Sequence, residues 1–145
     1  MTVDISSDRE KLRVRNIHEM LSKVYWSPSI TKNEILKGIN NSALIVGAYA
    51  ENGKQIGFLR VVSDKVRFAY LLDVVVNEDY RRQGIGQSMV KFALAHPELK
   101  DVYQWLLVTR DAHDVYGKCG FESLKNPENW MSIINPRPDR VKFTG

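Results

Sequence analysis

The spacing of apolar residues changes twice along this chain, and each change marks a different kind of element. Over residues 8–24, Leu12, Ile17, Met20, Leu21 and Val24 recur at near-helical intervals, which predicts an amphipathic helix. Ser7 or Asp8 is placed to cap it, Glu10 falls in its first turn, and Tyr25-Trp26-Ser27-Pro28 breaks it. Thr31 with Glu34 three residues later has the form of a capping box, so a second short helix is expected there, closing near Gly38.

The period then shortens to two. Residues 42–50 read as a strand, Asn52-Gly53 supplies a hairpin turn, and residues 55–63 (Ile56, Phe58, Val61, Val62) answer as the partner strand. Residues 68–76 form a third strand, apolar almost throughout except for Asp73, a pattern that predicts a central strand covered on both sides. After a loop at residues 77–80, helical spacing returns over residues 84–94, with Ile85, Met89, Phe92 and Ala93 inward, and stops before Pro97. Residues 102–109 read as a strand, residues 112–118 as a short helix, and Gly120-Phe121 as the opening of a last strand. The expected fold is a single α/β (α+β) domain over residues 1–135, a mixed, mostly antiparallel sheet with helices on both faces. Residues 136–145 are expected to be a loose tail.

Composition narrows the function classes. A chain of 145 residues, 43% hydrophobic and 26% charged, suits one ordinary globular domain. The single cysteine, Cys119, excludes an internal disulfide, and three histidines without metal-ligand spacing lead us to expect no metal. There is no 18-residue apolar run, and the polar, acidic start is unlike a signal peptide, so a cytoplasmic protein with no membrane role is expected. The net charge of +4 is dispersed, and its densest pair, Arg81-Arg82, has no interleaved aromatics. That argues against nucleic acid and is compatible with an anionic small molecule.

The chemically informative stretch is Leu71-Leu72-Asp73-Val74-Val75-Val76, a loop, Arg81-Arg82-Gln83-Gly84-Ile85-Gly86, and then a helix. Strand, glycine-containing loop and helix N-terminus make an anion site, because the first helical N–H groups lack internal acceptors and the macrodipole is positive there. It is not a P-loop, since Gly86 is followed by Gln87-Ser88, nor a Rossmann fingerprint, which needs three glycines. Two glycines alone would equally serve a tight turn with close helix–strand packing.

In context, the stretch resembles motif A of the GNAT superfamily, the Gcn5-related N-acetyltransferases: Arg/Gln-x-x-Gly-x-Gly/Ala directly after a central strand with a β-branched end. Arg81, Gly84 and Gly86 match it, and Val76 ends the strand. Downstream, Tyr116-Gly117-Lys118-Cys119-Gly120-Phe121 resembles the Tyr-x-x-x-Gly-Phe of motif B. The resemblance implies an N-acetyltransferase using acetyl-CoA as co-substrate. Backbone N–H groups of Arg81, Arg82, Gln83, Gly84, Ile85 and Gly86 would hold the pyrophosphate of coenzyme A, and Val74, Val75 and Val76 would pair with the pantetheine arm as with a guest strand. N–H groups near Val75 would polarise the carbonyl. Tyr116 would serve the departing thiolate, since a free tyrosine titrates near ~10, above a thiol's ~8.5.

For the acceptor side, Asp73 is the one charge in its strand, and a buried charge is costly unless paired. It is a candidate base or amine-positioning carboxylate; the alternative is a carboxylate satisfied by a backbone N–H or by an arginine such as Arg110. Tyr70 stands where the histone-acetylating branch carries its glutamate base, so that base is absent, while some polyamine-acetylating relatives carry an acid where Asp73 stands. His113, one helical turn before Tyr116, is a second candidate, its alternative being a capping or solvated residue. Tyr25, Trp26, Tyr70 and Trp130 are candidate acceptor-site residues, against the alternative of core plugs. Cys119 reads as a small core residue. The expected acceptor is a small-molecule amine. A protein or peptide amine, a longer acyl donor such as succinyl-CoA, and a catalytically silent CoA-binding module stay open, and the resemblance also allows a homodimer.

Overall fold

The hairpin of β2 (Leu44–Tyr49) and β3 (Gln55–Ser63) forms around the Asn-Gly turn, where Gly53 takes the positive φ of +85° that the reversal requires. Around it, a computed structural model describes residues 2–136; apart from residue 136, the tail expected over 136–145 lies outside the described residues. The five-stranded sheet has the order β1-β2-β3-β4-β5, with β1 (Asp4–Ser6), β4 (Phe68–Val76) and β5 (Gln104–Leu106). Pairings are antiparallel from β1 to β4, and β5 runs parallel to β4.

Helices cover both faces, as the patterning predicts. On one side α1 (Val14–Ser22) and α2 (Lys32–Asn40) bury Ile17, Leu21, Ile35 and Ile39 against Ile45, Phe58 and Val75. On the other, α3 (Ile85–Leu94) buries Ile85, Met89, Val90 and Ala93 against Val46, Leu59, Val61, Ala69 and Leu71. The Thr31–Glu34 capping box forms in both directions, and α2 closes at Asn40, two residues beyond Gly38. A short helix, α4 (His113–Gly117), follows β5.

Several boundaries differ from the patterning. The helix expected over residues 8–24 is split: Asp8 caps a 3-10 turn at Arg9–Lys11, and α1 starts only at Val14. The break is held by Gln55, a fully buried amide whose Oε1 accepts from Arg13 N at 2.7 Å and whose Nε2 donates to the Gly57 carbonyl at 3.0 Å. β1 was not expected, because three residues carry no readable period. β5 is three residues instead of eight, and no strand opens at Gly120-Phe121. Residues 122–136 are exposed throughout. β4 is an interior strand, the fourth of five, packed against α3 on one face and against the α1/α2 side on the other, as expected, although most of its second half is only partly buried.

Candidate active site

Two irregularities in β4 create the site. The first is a bulge. Phe58 pairs with Val75 and Arg60 with Leu72, so Leu59 faces both Asp73 and Val74, and Asp73 sits at φ +59° in the left-handed region. The extra residue resets the alternation: Ala69 and Leu71 face α3, then Val74 and Val76 do, while Val75 turns to the α1/α2 side. Asp73 therefore leaves the core face that strict alternation would give it.

The second is a splay. β5 pairs with β4 only at Phe68–Gln104, Ala69–Trp105 and Tyr70–Leu106. Beyond Tyr70 the β4 edge on that side has no partner strand among the described residues. Asn77 N–H donates to the Ile56 carbonyl at 2.7 Å, on the β3 side. By alternation, Val76 and Val74 present their peptide groups to the open side. The Val76 carbonyl is met there by Arg81 Nε at 3.1 Å.

At the end of β4 the chain turns into α3 through residues 81–84, all exposed. Arg82 (φ +65°) and Gly84 (φ +76°) are both left-handed, and Gly84 is the N-cap. The first intrahelical bond is Ser88 N–H to the Gly84 carbonyl at 3.0 Å, so the N–H groups of Ile85, Gly86 and Gln87 precede the ladder and are open to an anion. Gly86 has no steric need to be glycine: a Cβ there would meet only Val76 Cγ2, at 3.7 Å, and its φ is not positive. The room beside it adjoins Val76 and the helix N-terminus. This donor set, with two arginines beside it, fits the pyrophosphate of coenzyme A, and the open β4 edge from Val76 to Val74 fits an extended amide-bearing arm.

The splay opens into a cleft of about 570 Å³. Its floor is Tyr70, Leu72, Asp73 and Val74; Tyr25 and Trp26 form one wall; Leu107, Val108, Thr109 and Tyr116 form the other. The aromatic wall is pinned from behind: Ser27 Oγ donates to the Leu21 carbonyl at 2.6 Å, and a His18 ring N–H to the Ile30 carbonyl at 3.0 Å. Trp26 stands edge-on to Tyr25, with centroids 5.0 Å apart. One face of the Tyr25 ring is taken by Arg110, whose guanidinium lies 3.8 Å from the ring centroid.

Asp73 is paired, and by a residue sequence reading missed. Its Oδ2 accepts from Arg60 Nε at 2.8 Å and its Oδ1 from Trp26 Nε1 at 3.3 Å. Arg110, the arginine considered from sequence, is engaged with Tyr25 instead. Arg60 stacks beneath α2, where a Cβ on Gly38 would come within 3.2 Å of Cζ. A lone arginine among Ile56, Phe58 and Val61 on the neighbouring strand was the available signal. Glu34 and Asp111 also line the cleft.

Tyr116 is half-buried, edge-on to Phe121 with centroids 6.1 Å apart. Burial, with smaller contributions from Tyr25, Cys119 and Asp111, pushes its pKa up to about 12. Cys119 packs toward the Gln87 carbonyl (4.0 Å), and burial raises its thiol as well. Not every candidate reaches the cleft. His113 is exposed, and with Trp130 it lines a separate slot on the other side of residues 107–109, which Tyr116 also borders. Among the described residues no cluster of three or more His, Cys, Asp or Glu could hold a metal, and no helix is long and apolar enough to cross a membrane.

A sheet splayed between two parallel strands, with an anion cradle at one end of the opening and a walled cleft at the other, is the plan of an acyl-CoA N-acyltransferase. Comparison with known proteins agrees. The family profile for the acetyltransferase (GNAT) domain matches residues 41–123. A structure from Xanthomonas campestris pv. campestris, assigned to the GNAT family, is 33% identical, covers 94% of this chain and 95% of its own, and superposes with a TM-score of 0.87. An uncharacterized N-acetyltransferase of Pyropia yezoensis, ycf52, is 23% identical over 84% of this chain and 71% of its own. Glucosamine-6-phosphate N-acetyltransferase from Arabidopsis thaliana shares the fold, with a TM-score of 0.68 at 20% identity over 92% of this chain and 99% of its own. The chain belongs to the GNAT acetyltransferase family.

Proposed function

We propose that this chain transfers an acetyl group from acetyl-CoA to the primary amine of a small molecule, by direct attack within the cleft. The observation that carries the reading is the β4–β5 splay, which puts the open peptide edge of Val74–Val76 between the α3 cradle and the Trp26–Asp73–Tyr116 cleft. Acetyl-CoA, when bound, supplies the activated thioester carbonyl. The N–H groups at the start of α3, with Arg81 and Arg82, bind its phosphates. The open β4 edge orients its arm, and the two reactants meet side by side, where much of the acceleration from proximity arises.

Tyr116 acts as a hydrogen-bond donor to the departing sulfur. A phenol at about 12 remains protonated throughout the neutral range. Against a thiol near ~8.5, complete proton transfer would be uphill by roughly 4–5 kcal/mol, so the hydrogen bond to thiolate is the stabilising element. Asp73, with both oxygens engaged, holds Arg60 and Trp26 in place and contributes negative potential that orients an ammonium group. Asp111, also at the cleft, adds to that potential, which favours a cationic acceptor.

A free-thiol assay with acetyl-CoA across polyamines, small amino compounds and lysine peptides tests the acceptor. Thiol release with small amines at lower KM than with any peptide supports the reading. Preference for peptides would replace the small-molecule acceptor by a protein one.

A further inference from the structure

Arg60, the one guanidinium lining the acceptor cleft, keeps a donor that its ion pair does not use. A guanidinium holds its N–H groups in one plane, and the Nε and Nη2 hydrogens lie along the same edge, the edge that grips both oxygens of a carboxylate in a bidentate pair. Asp73 takes only half of that edge. Its Oδ2 accepts from Nε at 2.8 Å, but its Oδ1 is turned to Trp26 Nε1 at 3.3 Å. Nη1 reaches Ser42 Oγ at 3.4 Å, and Nη2 has no hydrogen-bond partner among the described residues.

The guanidinium is held where a ligand can reach it. Gly38 lets α2 lie against Cζ, Asp73 fixes Nε, and the side chain is still 21% exposed. The opposite wall carries the opposite sign: Asp111 lines the cleft there and lies close enough to Tyr116 to help raise its phenol. The cleft is therefore dipolar, anionic toward Tyr116 and with a free cationic donor toward α2. An acceptor with its amine toward Tyr116 and an anionic group toward Arg60 is matched at both ends, whereas a polyamine brings a like charge to Arg60. Arg60 pairs with Leu72 and Phe58 with Val75, so Arg60 stands two residues, roughly 7 Å, along β3 from the position opposite Val75. That span suits a short amino acid.

We propose that Arg60 determines acceptor specificity: its unused Nη2 N–H binds a carboxylate of the acceptor, so the substrate is a short amino acid, amine at one end and carboxylate at the other. This rests on the acetyl-transfer reading and narrows its small-molecule amine to a chemical class. The carboxylate completes the edge that Asp73 leaves half-used, and Asp73, through Nε, keeps that edge turned to the cleft.

Calorimetric titration of the CoA-saturated chain with β-alanine, γ-aminobutyrate and δ-aminovalerate, each against its own carboxamide, reads the carboxylate without turnover, because acid and amide differ by one charge and hardly in shape. For at least one pair the acid should bind roughly tenfold more tightly or better, the effect of a hydrogen bond to a charged group. In the double variant Arg60→Met/Asp73→Asn, which removes the guanidinium together with its partner charge, the acid-to-amide ratio should fall to about one. A merely structural Arg60 would weaken acid and amide alike and leave the ratio where it was. Arg60→Lys, a point charge without the fork, should keep part of the preference. No binding of any of the three acids, equal binding of acid and amide, a ratio kept in the double variant, or tighter binding of ethanolamine phosphate than of every amino acid would each overturn the proposal. Acetylation of simple amines with no preference for the acid would overturn it while leaving acetyl transfer standing; acid-selective binding without acetylation would do the reverse.

Discussion

Replacing Gly86 by glutamate separates the two reasons a glycine could stand at the start of α3. If it were needed for close helix–strand packing, any side chain would destabilise the fold. The structure says otherwise: φ is not positive, and the nearest heavy atom to an added Cβ is Val76 Cγ2, at 3.7 Å. Glycine costs a helix up to about 1 kcal/mol relative to good helix formers, somewhat less in the first turn. A carboxylate there adds about 0.3–1 kcal/mol of favourable interaction with the macrodipole. Gly86→Glu should therefore raise stability by roughly 1 kcal/mol, or about 2–4 °C in Tm for a domain this size. The same carboxylate would face the pyrophosphate. Two unit charges at about 4 Å repel by roughly 4 kcal/mol at an effective dielectric of 20, enough to weaken CoA binding at least a hundredfold. Gly84→Ala is the contrast: with φ at +76° and open space around it, a side chain brings strain without a clash, costing about 1–2 kcal/mol. Differential scanning calorimetry and titration with CoA read both quantities. Unchanged CoA affinity in Gly86→Glu would refute the cradle, and a lower Tm would return Gly86 to packing.

Tyr116→Phe should lower kcat by about tenfold to a hundredfold with little change in acetyl-CoA affinity; steady-state kinetics with equal kcat would remove it from the reaction. Tyr49 and Tyr116 both titrate at about 12, against 10 in the unfolded chain, chiefly through burial. Between pH 10 and 12 the unfolded chain gains ionisation that the folded one resists, so stability is complete below pH 10 and falls up to pH 12. Urea unfolding at those pH values should follow this slope, and Tyr116→Phe should flatten part of it; an unaltered slope would contradict the burial of the phenol. Arg60→Met should cost about 1–3 kcal/mol by leaving Asp73 without its cation, and Asp73→Asn in that background should restore part of it. Additive effects in the double-mutant cycle would mean that the 2.8 Å pair does not couple.

The elements with strong local rules were legible in the sequence. The Thr31–Glu34 box, the Asn52-Gly53 hairpin and the α3 stripe each rest on a few adjacent residues, and each forms. The strand–loop–helix arrangement from Val76 to Gly86 was legible for the same reason, since its parts are contiguous. The Arg60–Asp73 pair was not, because finding it needs the β3–β4 register, and the bulge at Asp73 shifts that register by one residue. The eight-residue strand expected after Val102 fails for a tertiary reason: β5 parts from β4 after Leu106, and the apolar run that continues to Val108 lines the two cavities instead. His113 and Tyr116 do share a helix face, as their spacing implies, but that face looks first into the slot, so only Tyr116 also reaches the cleft.

The most direct test of acetyl transfer is to incubate the full chain with acetyl-CoA and a pool of small cationic amines, and to count free thiol and N-acetylated product together by mass spectrometry. The account predicts the two in equal amounts, both lost in Gly86→Glu. Thiol without N-acetyl product, or neither from any amine despite saturating acetyl-CoA, would contradict it.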